Sequence, residues 1–354
     1  MHPPIHPARH FFRLAYRHHH PMGKSHSTWP FYGLSTCCAV RPSPRSPLPV
    51  TRLSSLAGHA ASSRHASSAA AKSALASDPT KEKSYLTSNV FDLMSLKDRV
   101  VVITGAAKGI GLALGFGVAE AGGKVAVVDA ANEPHQAFGR LKEICPDLRY
   151  YRSDVTEYDT LQQTFKDIVA DYGRIDGLVT AAGICPDEPF LDRSPESVRR
   201  CVEINNLGTY YSVQLAARQM VRQDPSAHAK GAGSIVMIAS VAAHRASKDQ
   251  YTSDYCMSKG GILSLTKQLG IELADHRIRV NCISPGYIET DLTIDLVKMR
   301  PKLGEIFNSE PAMKRIGDRT DLKAACVYLL SNASAYMTSG EMLITGGLHA
   351  GRVH

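Results

Sequence analysis

The strongest constraint on how this chain folds is a glycine-punctuated junction. A β-branched run, VVVIT at 100–104, passes without a linker into TGAAKGIGLAL at 104–114. Gly105, Gly109 and Gly111 stand there in the spacing G-x-x-x-G-x-G. Glycine admits the backbone that a tight strand-to-helix turn needs. It also lets a phosphate approach the free N–H groups that open the following helix. The junction therefore predicts a strand, a tight turn and a helix whose start faces an anion.

The alternation continues from about residue 93 to 348. Short β-branched or apolar runs fall at 100–104, 125–129, 148–154, 176–182, 234–240, 278–285 and 341–345, with helical patterns between them. Strands that alternate with helices predict an α/β fold: a single Rossmann-type, doubly wound parallel sheet flanked by helices. Such a sheet holds its ligands beyond the carboxyl ends of its strands. Residues 93–354 are long enough to bury one substantial core.

The formal charge of +8 is unevenly placed. Residues 1–77 carry nine of the 41 basic residues and no acid, which leaves 32 basic against 33 acidic residues, a net −1, for the rest. Without the leader, the charge basis for nucleic-acid binding disappears. The leader is rich in Ser, Ala, His, Pro and Arg and contains the Arg-spaced apolar patch ARHFFRLAYR. That is the composition of a mitochondrial transit peptide, and its apolar runs are too short for a membrane span. The expected organisation is a leader over 1–77, a linker over 78–92 and a mitochondrial matrix protein, with the cytoplasm as the alternative. His18, His19 and His20 lie in the leader without Cys or carboxylate partners, and none of the eight cysteines forms a C-x-x-C pair. Neither a metal site nor a disulfide framework is expected.

The second predicted strand ends in Asp129, eighteen residues after Gly111. A carboxylate at that place accepts hydrogen bonds from the hydroxyls of an adenosine ribose and opposes a 2′-phosphate, which favours NAD over NADP. Lys108 in the turn pulls the other way, but Ala130 and Ala131 add no second cation. Asp154, ending the third strand, is a candidate partner for the adenine amino group or a plain turn former.

The segment QYTSDYCMSKGG at 250–261 places Tyr255 and Lys259 four residues apart. On a helix they share one face about 6 Å apart, whereas Tyr251 lies about 12 Å from the lysine. An ammonium near a phenol favours the phenolate. A tyrosine so placed can take a proton from an alcohol while hydride leaves the same carbon.

With these motifs the body resembles the short-chain dehydrogenase/reductase family. The resemblance rests on T-G-x-x-x-G-x-G at 104–111, the acid at 129, Asp154, N-x-x-G from Asn205 to Gly208, Ser240, Y-x-x-x-K at 255–259 and P-G-x-x-x-T at 285–290. It implies a tetrad: Tyr255 as acid/base, Ser240 polarising the substrate oxygen, Lys259 lowering the tyrosine pKa and touching the ribose, and Asn205 holding a relay water. It implies that Gly105, Lys108, Gly109, Ile110, Gly111, Asp129, Asp154, Gly183, Tyr255, Lys259, Pro285, Ile288 and Thr290 bind the cofactor, and that the protein is a homotetramer or dimer. Two departures stand out. TAAG at 180–183 replaces the family's usual N-N-A-G, and Ser240 lies fifteen residues before Tyr255, with Ser247 as the competing serine.

The loop HRASKDQYTSDY and the later PGYIETDLT resemble the fungal polyol and ketose branch of the family, which includes D-arabinitol 2-dehydrogenase (ribulose-forming). This implies NAD-dependent oxidation of a sugar alcohol to a ketose. Asp249, Gln250 and Glu289 are the expected polar wall of the substrate site, and 291–312 its lid. The competing enzyme reading is a 3-oxoacyl-carrier-protein or other carbonyl reductase. A nucleotide-sensing scaffold is the non-enzyme alternative, and the complete tetrad argues against it.

Overall fold

The computed structural model describes residues 84–224 and 229–351. The leader and its targeting role lie outside them. Two short helices come first, α1 (Ser84–Thr87) and α2 (Val90–Met94), so the described part of the expected linker is largely helical. The βα alternation then runs β1 (Val100–Thr104), α3 (Gly109–Glu120), β2 (Lys124–Asp129), α4 (Phe138–Ile144), β3 (Arg149–Arg152), α5 (Tyr158–Tyr172) and β4 (Gly177–Thr180). It continues with α6 (Pro195–Val202), a π-helical turn (Glu203–Leu207), α7 (Gly208–Arg222), β5 (Gly233–Ile238), α8 (Ser253–Glu272) and β6 (Ile278–Pro285). The remaining elements are α9 (Asp291–Met299), α10 (Pro301–Ser309), α11 (Thr320–Leu330) and β7 (Glu341–Ile344).

All seven predicted strands form, and they pair in parallel in the order β3-β2-β1-β4-β5-β6-β7. Successive strand residues point to opposite faces, and the core divides accordingly. Val101, Ile103, Val236 and Ile283 pack with Leu114 and Val118 of α3 and Leu322 and Leu329 of α11. Val102, Ile235, Met237 and Val280 pack on the other face with Phe165 of α5, Met220 of α7 and Ile262 of α8. Strands buried on both faces explain why the sequence reads as continuous β-branched runs rather than alternation.

The sheet order reverses between β1 and β4, which pair directly up to Thr104 and Thr180. A crevice opens at such a switch point, beyond the carboxyl ends of the strands. Gly105, Lys108, Gly109, Asp129, Asp154, Gly183, Tyr255 and Lys259 line it.

Candidate active site

The glycine turn is shaped by close approach. Gly105 has φ +70°, and a Cβ there would stand 2.4 Å from the backbone N of Ala182. A Cβ on Gly111 would stand 2.2 Å from the Gly105 carbonyl oxygen. A side chain on Gly105 would fill the space that lets the β1 turn lie against the turn after β4, and one on Gly111 would push the helix start off its own turn. Gly109 has φ +61°, and Lys108 precedes α3 without a side-chain cap bond, so the opening N–H groups of the helix remain available to an anion.

Asp129 closes β2 with both carboxylate oxygens engaged. Oδ2 accepts from the Ala107 N–H at 2.9 Å and Oδ1 from the Ala131 N–H at 3.0 Å. The acid thus braces the glycine turn, and it also lines a cleft of about 670 Å³ together with Gly105, Lys108, Gly109, Asp154, Gly183, Tyr255 and Lys259. Asp154 Oδ1 accepts from the N–H and hydroxyl of Thr156 at 2.9 and 2.8 Å, and Arg200 Nη2 lies 3.7 Å from Oδ2. Burial pushes this carboxyl up, but the Thr156 bonds and the Arg200 guanidinium outweigh it and hold Asp154 below its usual value. It is a turn former, as the second sequence reading has it, and it stands on the cleft wall.

A second cavity, of about 580 Å³, lies against the first and shares Ile110, Cys185, Ile238, Tyr255, Thr290 and Leu292 with it. Ser240, Ser247 and Gln250 line this second cavity, as do Pro285 and Ile288. Tyr255 therefore faces both, and Ser240 faces only the second. Ser240 lies two residues past β5 in extended backbone, caps a 3₁₀ turn through the Ala242 N–H at 3.1 Å, and hydrogen-bonds the Tyr255 phenol. The cleft runs from Asp129 past the glycine turn to Tyr255 and Lys259, the arrangement a dinucleotide would need, and the second cavity opens beside Tyr255 and Ser240 where a reacting molecule would sit.

Two tetrad expectations need correction. Lys259 was expected to lower the Tyr255 pKa, yet burial raises the phenol well above its usual value, and the Ser240 hydrogen bond only partly offsets this. The lysine is itself buried, which draws its ammonium down to about 8. Its Nζ donates to the Ile238 carbonyl at 2.7 Å and lies 5.6 Å from the centroid of the Tyr255 ring. In the protein alone desolvation dominates the phenol; the positive charge of an oxidised nicotinamide, once bound, would be a further contribution that favours phenolate.

Asn205 was expected to hold a water, but its side chain is committed to protein. Oδ1 accepts from the Ile184 N–H at 2.9 Å, and Nδ2 donates to the Ile184 carbonyl at 3.0 Å and Ser258 Oγ at 2.9 Å. The π-helical turn, a frequent distortion at functional sites, carries this fully buried residue into the sheet end. Asn205 braces the turn after β4, and Gly183 leaves room for it: a Cβ there would meet Asn205 Oδ1 at 3.2 Å.

The polar wall also differs from expectation. Gln250 lines the substrate cavity, whereas Asp249 is exposed and pairs with Lys302 at 2.8 Å, and Glu289 is exposed. The charged groups on the cavity wall are instead Asp187, Asp295 and Arg300. From the expected lid segment, Leu292, Leu296 and Met299 of α9 and Phe307 of α10 line it. Arg300 pairs with Asp187 113 residues earlier, a contact that local sequence does not signal.

Chemically, the arrangement puts an alcohol or carbonyl carbon within reach of both cavities. Ser240 is placed where it could donate to a substrate oxygen and Tyr255 where it could exchange a proton with that oxygen at Oη, with the Lys259 ammonium 5.6 Å from the phenol ring centroid. The glycine turn, Asp129, Lys259 and Thr290 all line the first cleft and would hold a nicotinamide dinucleotide there, which would supply the hydride acceptor or donor. Among the described residues no group of three or more His, Cys, Asp or Glu is placed to hold a metal ion, and no helix is long and apolar enough to cross a membrane.

Comparison with known proteins agrees with this geometry. A family model described as enoyl-(acyl carrier protein) reductase matches residues 105–349. An NADP-dependent mannitol dehydrogenase of Aureobasidium melanogenum is 34% identical over 263 residues, covering 73% of this chain and 95% of that protein. An NADH-dependent L-xylulose reductase of Ambrosiozyma monospora is 30% identical over 261 residues, covering 70% and 94%. A solved short-chain type dehydrogenase/reductase from Mycobacterium marinum matches with a TM-score of 0.68 at 34% identity, covering 73% of this chain and 99% of that one. The chain belongs to the short-chain dehydrogenase/reductase family and is an NAD(P)-dependent oxidoreductase acting on CH–OH groups.

Proposed function

We propose that the protein is an NAD-dependent polyol dehydrogenase that oxidises a sugar alcohol of the arabinitol type to its ketose, D-arabinitol to D-ribulose. The observation that carries this reading is the wall of the substrate cavity. Besides Ser240 it offers Ser247, Gln250, Asp187, Asp295 and Arg300, a mixture of donors and acceptors suited to several hydroxyl groups. The names of the mannitol and xylulose relatives support the same substrate class. NAD preference rests on Asp129 in the cofactor cleft, where a 2′-phosphate meets like charge. The mannitol relative is NADP-dependent, so the preference is this chain's own to test.

The apolar side of the cavity, with Leu292, Leu296, Met299 and Phe307, favours a second reading as a reductase of acyl or other apolar carbonyl compounds. Turnover of C4 to C6 polyols and ketoses and of an acetoacetyl thioester, each with both cofactors, separates the two. The first reading expects fastest turnover of a pentitol with NAD; fastest turnover of the thioester overturns it.

We further propose a homo-oligomer, supported by the exposed apolar side chains Tyr210 and Val221 on α7 and Ile271 on α8. Light scattering of the purified protein tests this, and a monomer at micromolar concentration overturns it. The leader composition supports mitochondrial matrix delivery; import that persists after removal of residues 1–77 overturns that.

A further inference from the structure

Helix α8, which carries Tyr255 and Lys259, begins without a side-chain N-cap bond: Thr252 stands at the cap position and makes none. Its start is fixed from outside. Arg193, which precedes α6 by two residues, forms an ion pair with Asp254, and the two side chains are only 2% and 1% exposed. The second arm of the same guanidinium donates to the carbonyls of Glu188 at 2.8 Å and of Tyr251. Asp254 Oδ1 in turn accepts from the N–H of Tyr255 at 2.7 Å. One planar cation thus reaches the residue before the catalytic tyrosine, the residue before the helix cap, and the loop after β4.

That loop matters because Cys185 and Asp187 line the cavities from it. It is laced to the same place twice more. The Glu188 N–H donates to the Tyr251 carbonyl at 3.2 Å, and the Tyr251 N–H donates to Asp187 Oδ1 at 2.7 Å. A lysine cannot replace the fork, since an ammonium lacks the planar geometry that serves a carboxylate and two carbonyls together.

We propose that Arg193, acting through Asp254, is a positioning residue that fixes Tyr255 at the junction of the two cavities and in reach of Ser240. It touches neither cavity. A buried carboxylate that loses its cation must move or take up a proton, and Asp254 cannot move without shifting the backbone N–H of Tyr255 bonded to it. The Ser240 hydrogen bond, which favours phenolate, then weakens.

The groups that face the phenol are Lys259 and Cys256 from α8, Cys185 from the loop after β4 and Cys201 from α6. Neither Arg193→Met nor Arg193→Lys replaces any of them. The test is the ionisation of Tyr255 in the NAD-saturated enzyme, read as phenolate difference absorbance against the same protein carrying Tyr255→Phe. Arg193→Met is expected to move it upward by about one unit, which is a tenfold smaller phenolate fraction at neutral pH. NADH affinity, governed by the glycine turn and Asp129, stays unchanged. Ionisation at the wild-type position, with only the melting temperature lowered, overturns the proposal and leaves the pair a scaffold contact. Should Arg193→Met fail to fold, Arg193→Lys keeps the buried charge but not the planar fork, and the same two outcomes decide. The readout needs no substrate, so it stands or falls apart from the choice of polyol.

Discussion

Lys259 is 6% exposed, and burial draws its ammonium from 10.5 to about 8. Lys259→Met keeps the length of the side chain and removes the charge. In the window between about 8 and 10.5 the unfolded wild-type lysine holds a proton that the folded one has released. Stability rises with pH wherever the unfolded state binds more protons, so wild type gains on the variant as pH rises through that window. Linkage with those two values gives a relative gain of about 2 kcal/mol between pH ~7 and pH ~9.5, as an upper figure. Loss of the 2.7 Å bond to the Ile238 carbonyl is a separate contribution. It costs the variant about 1–3 kcal/mol at every pH, so only the slope reports the charge. Urea unfolding of both proteins across the window measures it. Stability curves that run parallel refute the claim that the ammonium is held against burial.

Three further outcomes are expected. Asp129→Ala should lower the NAD over NADP ratio of kcat/KM by about tenfold, since one unit of lost charge repulsion is worth that much; an unchanged ratio makes the acid merely a brace for Ala107 and Ala131. Gly111→Ala drives a Cβ to 2.2 Å from the Gly105 carbonyl, so melting temperature and NADH affinity should fall together, the stability loss being about 1–3 kcal/mol. Cys185 lines both cavities, but burial pushes its thiol up to about 12; alkylation at neutral pH, followed by peptide mass analysis, should therefore be slow there.

Much of this was legible in the sequence because it depends on local periodicity. Seven β-branched runs announced seven strands, and the glycines of the turn announced a close approach that Ala182 and the Gly105 carbonyl supply. Tyr255 and Lys259 share a helix face as their spacing required. What escaped was the balance of burial against charge. An ammonium one turn from a phenol reads as an acidifying partner, yet both groups sit deep enough that desolvation dominates each. Asn205 carried the right motif, but its amide is consumed by Ile184 and Ser258, which lie 21 and 53 residues away. Asp249 and Glu289 looked like a substrate wall, and the fold turns both outward. The wall that forms instead uses Asp187 and Arg300, and the helix start uses Arg193 and Asp254. These pairs join loops far apart in sequence, where a charged residue reads simply as solvated.

Tyr255 faces both cavities and hydrogen-bonds Ser240, which makes it the group expected to exchange a proton with the substrate. Tyr255→Phe removes a single oxygen, and turnover of the best substrate is to be measured beside NADH affinity on the same preparation. A fall in kcat of about 10²–10⁴-fold with NADH binding preserved is the expected result. Turnover near the wild-type rate would contradict it outright.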